Sequence, residues 1–266
     1  MRTVVHISDL HFGRITPDVL PPLRETILAV KPDVVVVSGD LTQRAKSQEF
    51  TEARAFLDTL PTPQIVVPGN HDIPLYNVFK RWLTPLRNYK RLITSDLDPY
   101  FEDNEIAVAG INTARSFAFK DGRINTDQTA QCCTCFAQTA PDAVRIVATH
   151  HPFALADVEA TLVGRAEMAM DKFAECGVDI ILSGHMHESH TIMSTERYKK
   201  HGRSALLIQA GTATSTRRRG EANAFNILKI DTPRLTLDRL VLNDTGIFAK
   251  TLTETFERRE TGWVIV

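Results

Sequence analysis

Three short apolar runs in the first 70 residues constrain this chain most. Residues 3–7, 33–37 and 64–67 are rich in Val and Ile, and each gives way to a polar turn: Asp9-Leu10-His11, Ser38-Gly39-Asp40 and Gly69-Asn70-His71-Asp72. β-Branched runs of this length, bounded by turn residues, predict strands buried on both faces. Two helical patterns separate them. Residues 17–30 start with Pro17 after a capping Thr16 and set Leu20, Leu23, Ile27 and Val30 on one face. Residues 47–60 carry Phe50, Ala53, Phe56, Leu57 and Leu60 at helical spacing. Strand, polar turn and helix in repetition predict an α/β fold with parallel strands. In such sheets ligands bind where strand C-termini converge, so Asp9, His11, Asp40, Asn70 and His71 are expected to meet in space.

The middle of the chain is less regular. The pattern predicts a helix over 76–91, a strand over 105–111, a polar loop over 112–125 with Arg115, Lys120 and Arg123, and a helix over 126–139. A strand over 145–148 ends in Thr149-His150-His151-Pro152, and after a helix over 165–176 a strand over 178–182 exits into Gly184-His185-Met186-His187. From residue 191 onward the pattern turns to antiparallel strands over 204–209, 224–230, 235–242 and 263–266. No repeat, low-complexity run or linker interrupts 1–266, which predicts one domain whose part from about 191 completes a second sheet.

Five strand ends thus carry Asp-x-His, Gly-Asp, Gly-Asn-His-Asp, His-His-Pro and Gly-His-Met-His. Carboxylate, imidazole and amide oxygen without thiolate suit Mn, Fe or Zn at a reactive site rather than a structural zinc. His185 and His187, two apart, face one site only on extended or turn backbone. His6, His190 and His201 read as incidental. The charge balance, 31 basic against 32 acidic residues, leaves no general footprint for nucleic acid or membrane, so selectivity must reside in a site. No stretch nears the roughly 18 apolar residues of a membrane span, and His6 and Asp9 interrupt the N-terminus before a signal-like apolar region, so a cytoplasmic location is expected. There, Cys132, Cys133, Cys135 and Cys176 are expected as thiols. Cys132 and Cys135 have C-x-x-C spacing, but only Cys176 remains to extend it into a zinc set. The run Arg217-Arg218-Arg219 reads either as a contact for a substrate anion or as a solvated loop.

Taken together and in this order, the five motifs resemble those of the calcineurin-like metallophosphoesterases, over residues 9–187. The resemblance implies a four-layer α/β/β/α sandwich, two mixed sheets flanked by helices, with a two-metal centre at the sheet edges. Carried over by residue, Asp9, His11 and His187 would hold one metal and Asn70, His150 and His185 the other, with Asp40 bridging. His150 is preferred to His151 because the family pattern is His, any residue, Pro. His71 would sit by the leaving group. Gly39-Asp40-Leu41-Thr42 lacks the tyrosine of purple acid phosphatases and the Asp-Arg-Gly of protein Ser/Thr phosphatases, and His71 stands where lipid A pathway pyrophosphatases usually carry Arg. The nearest likeness is to bacterial class III cyclic-nucleotide phosphodiesterases. It implies a phosphodiester hydrolase with two divalent or trivalent transition-metal ions, acting on small molecules rather than nucleic acid, and compatible with assembly of like chains. The alternatives are a pyrophosphatase of a nucleotide-linked lipid or sugar, a phosphomonoesterase or a nuclease of the same superfamily, or a metal-free scaffold of the kind some relatives form in membrane traffic.

Overall fold

The computed structural model of the chain describes residues 1–75, 78–117, 121–154, 162–198, 204–217 and 220–266. The N-terminal half runs β1 (Arg2–Ile7), α1 (Leu20–Val30), β2 (Val34–Val37), α2 (Ser47–Leu57), β3 (Gln64–Val66), α3 (Val78–Leu83), α4 (Arg87–Leu92), β4 (Tyr100–Glu102), β5 (Ile106–Gly110) and α5 (Thr126–Phe136). There follow β6 (Val144–Ala148), α6 (Ala166–Glu175), β7 (Ile180–Ser183), β8 (His190–Met193), α7 (Ser194–Arg197), β9 (Leu206–Gln209), β10 (Ala224–Asp231), β11 (Arg234–Leu242), β12 (Phe248–Arg259) and β13 (Gly262–Ile265).

Two mixed sheets result, in the orders β13-β12-β11-β10-β1-β2-β3 and β4-β5-β6-β7-β9-β8. β1, β2 and β3 pair in parallel, as do β5, β6, β7 and β9. Side-chain alternation along each strand sorts the core into layers. Val4, Val34 and Val36 pack with Ile106, Ile146, Ile180 and Leu228 between the sheets. Their neighbours Val5, Val35 and Val37 point the other way, onto Leu23 and Ile27 of α1 and Phe50 and Leu57 of α2. On the far side Ala107, Val147 and Ile181 meet Phe136 of α5 and Phe173 of α6. The expected helix–sheet–sheet–helix sandwich is therefore present. Of the strands after residue 190, only β8 and β9 join the second sheet; β10 to β13 extend the sheet of β1.

Several expectations need correction. The helix expected over 76–91 is two short helices, α3 and α4, split at Thr84-Pro85. Proline lacks a backbone N–H and disfavours helical backbone in the residue before it. Tyr76 and Asn77, where that helix was to begin, lie outside the described residues, as do Lys120, His201, Arg218, Arg219 and most of the 154–164 loop. The 12-residue β12 is absent from the sequence reading because its exposed face breaks the apolar run. Cys133 and Cys176, expected as thiols, are joined in a disulfide with Cα atoms 5.4 Å apart. α5 and α6 lie side by side on one sheet face, and this adjacency, invisible in a separation of 43 residues, brings the two cysteines together. Cys132 and Cys135, the C-x-x-C pair, are free.

Candidate metal centre

The parallel strands all present their C-terminal ends on one side of the sandwich, and the polar turns cluster there. Asp9 and His11 follow β1, Asp40 follows β2, Asn70 and His71 form a 3₁₀ turn after β3, His150 follows β6, and His185 and His187 follow β7. Asp9, His11, Asp40, His150 and His187 are buried, while Asn70, His71 and His185 are partly exposed. Asp9 (φ 54°), His11 (49°), Asp40 (52°), His185 (77°) and His187 (63°) all adopt left-handed backbone, which non-glycine residues rarely do. Each such residue costs about 1–3 kcal/mol and persists only where its surroundings hold it.

Those surroundings are identifiable. Thr212 Oγ1 donates to the Asp9 carbonyl (2.7 Å) and Thr214 Oγ1 to that of Leu10 (2.6 Å), so the 211–215 segment braces the first turn. Asp72 braces the second and third. Its carboxylate accepts from Gly69 N (2.9 Å), Leu41 N (3.2 Å) and Thr42 N (2.9 Å), tying the Asp40 loop to the Asn70 turn. Burial, then the nearby charge of Asp40, raises its pKa to about 7. Two glycines let backbone approach carboxylate: a Cβ on Gly69 would lie 2.1 Å from Asp40 Oδ1, and one on Gly184 would lie 2.5 Å from Asp9 Oδ2. Neither Thr212, Thr214 nor Asp72 was assigned a role from the sequence. The only signal was that Asp72 ends the Gly-Asn-His-Asp turn.

Two clusters form. Ligand atoms of Asp9, His11, Asp40 and His187 lie within 4.8 Å of one another, and those of His150, His151 and His185 form a second group. His187 Nε2 is 3.2 Å from Asp9 Oδ1 and 3.1 Å from His11 Nε2. His150 Nε2 is 3.1 Å from Asn70 Oδ1 and 3.2 Å from His185 Nδ1. Asp40 stands between the groups, with Oδ2 3.6 Å from His11 Nε2 and Oδ1 3.4 Å from His150 Nε2. His151 Nδ1 is instead engaged by Thr113 Oγ1 at 2.8 Å. All seven residues expected as ligands thus come together.

The donor set fits cations. His150 Nδ1 donates to the Ser38 carbonyl (2.8 Å) and His187 Nδ1 to that of Arg217 (2.6 Å), so each ring, in its neutral form, turns its Nε2 lone pair inward. Those lone pairs face Asn70 Oδ1 and Asp9 Oδ1, which are themselves acceptors. Asp9 Oδ1 and His11 Nδ1 are buried without a hydrogen bond. Acceptors converging on acceptors in a largely buried site call for positive charge. The ionisation pattern answers the same need. Burial would lower the pKa of His150, but Asp40 beside it wins and raises it to about 9. Burial and then the neighbouring His150 lower His185 to about 3. Burial would raise Asp9 and Asp40, yet the surrounding histidines, His187 for Asp9 and His150 for Asp40, hold both below the usual carboxylate range.

His71 lies beside the clusters rather than in them. Its ring packs edge-on against His11, with centroids 4.9 Å apart. Nδ1 donates to the Gln43 carbonyl (2.9 Å), and Nε2 accepts from Arg217 Nη1 (2.7 Å). Arg217 is therefore part of the site wall.

A family model described as calcineurin-like phosphoesterase matches residues 2–189. The glycerophosphodiester phosphodiesterase GpdQ of Enterobacter lignolyticus is 36% identical over 96 residues, which cover 31% of this chain and 33% of that protein. The match thus spans about a third of that relative's length. Purple acid phosphatase PPD1 from yellow lupin seeds shares the fold with a TM-score of 0.72 at 14% identity, covering 95% of this chain and 53% of that one. A dimetal phosphatase from Danio rerio gives 0.68 at 13% identity, covering 96% and 98%. At such identities the two structures speak to the fold alone.

Proposed function

The chain belongs to the calcineurin-like phosphoesterase family, and from that premise we propose that it is a metal-dependent phosphodiesterase. The observation that carries the reading is Asp40, one carboxylate within 3.6 Å of His11 in one cluster and 3.4 Å of His150 in the other. Asp9, His11 and His187 would hold one transition-metal ion and Asn70, His150 and His185 a second, with Asp40 shared and Mn, Fe and Zn the candidates. Such ions, once bound, make water a nucleophile at neutral pH and neutralise charge gathering on phosphoryl oxygens.

The chain's own groups supply the rest. Ser38 and Arg217 carbonyls fix which nitrogen of His150 and His187 faces the site. The Arg217 guanidinium, at the site wall, is placed to hold a phosphoryl oxygen. When it turns to the substrate, His71 Nε2 is released from its hydrogen bond, takes up a proton from solvent and can pass it to the departing oxygen, with Nδ1 anchored on Gln43. A diester monoanion suits this arrangement because its alkoxide leaving group needs that proton. The motif likeness supports 3′,5′-cyclic nucleotides as substrate. The partial match to a glycerophosphodiester phosphodiesterase supports a second candidate, glycerophosphodiesters.

The test is a panel of bis-p-nitrophenyl phosphate, its monoester, cyclic nucleotides, glycerophosphodiesters, nucleotide-sugar pyrophosphates and single-stranded DNA, assayed with each metal. Preference for diesters over the monoester is expected. Exclusive monoester cleavage rejects the reading.

A further inference from the structure

Large apolar side chains gather on one exposed face formed by α3 and the loop after β5. Phe79, Trp82 and Leu83 of α3 are 81%, 56% and 78% exposed, and Phe117 of the neighbouring loop is 76% exposed. Spacings of three and four residues put the first three on one side of the helix. Trp82 meets Phe117 edge to face, with centroids 4.5 Å apart. The face is held in place from below: Arg81, buried beneath it, donates from Nε to the Ser116 carbonyl (2.7 Å) and from Nη1 to that of Pro74 (3.2 Å). Leu83 also borders a cleft of about 700 Å³ whose walls include Ile73, Leu86, Arg87 and Arg115.

The sequence stretch that carries α3 and α4 is one-signed in charge. Between Asp72 and Asp96 the sequence holds Lys80, Arg81, Arg87, Lys90 and Arg91 and no acidic residue, in a chain whose net charge is -1. Arg87, Lys90 and Arg91 on α4 are exposed.

We propose that the α3 face, with Phe117 and the α4 cations, is a docking surface for an anionic lipid bilayer. Aromatic rings and leucine flanked by Arg and Lys are the composition of peripheral anchors: the apolar groups enter the headgroup boundary and the cations meet lipid phosphates. A second copy of the chain is disfavoured, because a two-fold interface on this face would bring two cationic α4 segments into one patch. A neutral apolar partner would leave those cations unanswered. The inference goes beyond the catalytic reading and does not depend on it.

The test uses the full chain and sedimented vesicles of phosphatidylcholine, alone or mixed with phosphatidylglycerol. Retention on the mixed vesicles only, weakened by salt, is expected. Phe79→Ser, Trp82→Ser and Phe117→Ser together should lower it by about tenfold or more, and so should Arg87→Glu with Lys90→Glu, a second variant that leaves the apolar face intact. The emission difference between wild type and Trp82→Phe should shift to the blue on binding. Equal retention on both vesicle types, or none on either, overturns the proposal. So does a dimer that the same three serines dissociate while vesicles retain nothing, which assigns the face to a second copy.

Discussion

Arg217 Nη1 donates to His71 Nε2 at 2.7 Å across 146 residues of sequence, while the Arg217 carbonyl accepts from His187 Nδ1 at 2.6 Å. One residue thus restrains the candidate proton donor with its side chain and a candidate metal ligand with its backbone. His71→Ala should keep both metals yet slow alkyl or cyclic diesters about 10²–10⁴-fold more than nitrophenyl diesters, whose leaving group needs no proton. Metal content and kcat/KM for the two leaving groups check this, and equal losses on both would sink the acid role. Arg217→Ala, which leaves the carbonyl in place, should raise KM for a diester roughly ten- to a hundredfold, as loss of a charge-assisted hydrogen bond would.

Because Asp40 stands between the two candidate metal sites and Asn70 beside one of them, substitutions at the two positions should differ. Wild-type protein should bind about two ions per chain. Asp40→Ala should lose both, whereas Asn70→Ala should weaken mainly one. Elemental analysis after dialysis against each ion reads the outcome, and a wild type without stoichiometric metal removes the central reading.

Gly69 offers a test of geometry alone. Its φ of -103° is open to any residue, so Gly69→Ala brings no backbone strain. The new Cβ would nevertheless lie 2.1 Å from Asp40 Oδ1 and 2.4 Å from Asp40 N. The variant should fold, by circular dichroism, and lose metal in the manner of Asp40→Ala. Wild-type metal affinity would show that the close approach is not required.

His6 sets an acid limit on stability. It is fully buried in β1, its Nε2 2.8 Å from Ser38 Oγ, and burial lowers its pKa from 6.5 to about 3. As pH falls below 6.5 the unfolded chain takes up a proton that the folded chain refuses until about 3. Stability from this group is thus complete above 6.5 and declines through that window, by up to about 1.4 kcal/mol per pH unit. His6→Gln, which cannot titrate, should flatten the decline of chelator-treated protein between pH 6 and 4 in denaturant titrations, roughly by that slope. An unchanged slope would mean that other groups dominate.

The Cys133–Cys176 bond links α5 to α6 across 43 residues. Its loss in Cys133→Ala should lower unfolding free energy by about 2–4 kcal/mol. Reductant should reproduce the effect in wild type and add nothing in the variant; identical melting with and without reductant would show that the pair contributes nothing.

Much of the site was legible because it is built at strand ends. A buried parallel strand must be apolar, so the first polar residues after Ile7, Val37, Val66, Ala148 and Ser183 announce themselves, and parallel pairing puts all five ends on one side of the molecule. Local chemistry therefore determined the strands, the sandwich's parallel cores and the candidate ligand types Asp, His and Asn. The balanced charge of the whole chain, by contrast, concealed the cationic stretch beside α3.

What remained was decided by contacts between residues far apart in sequence. No local pattern requires Asp9, His11, Asp40, His185 and His187 to take left-handed backbone; once the sheets are packed, Thr212 and Thr214 brace the first turn, Asp72 the second, and Asp9 Oδ2 accepts from His185 N. The disulfide needed α5 beside α6. Arg217 read from sequence either as a contact for a substrate anion or as part of a solvated loop, and only the folded chain sets it between His71 and His187. Sequence determines which groups a strand end must expose to solvent or ligand, because burying them there would leave them without partners. Distance and orientation among those groups are set by tertiary packing, since they depend on residues as distant as 204 positions apart.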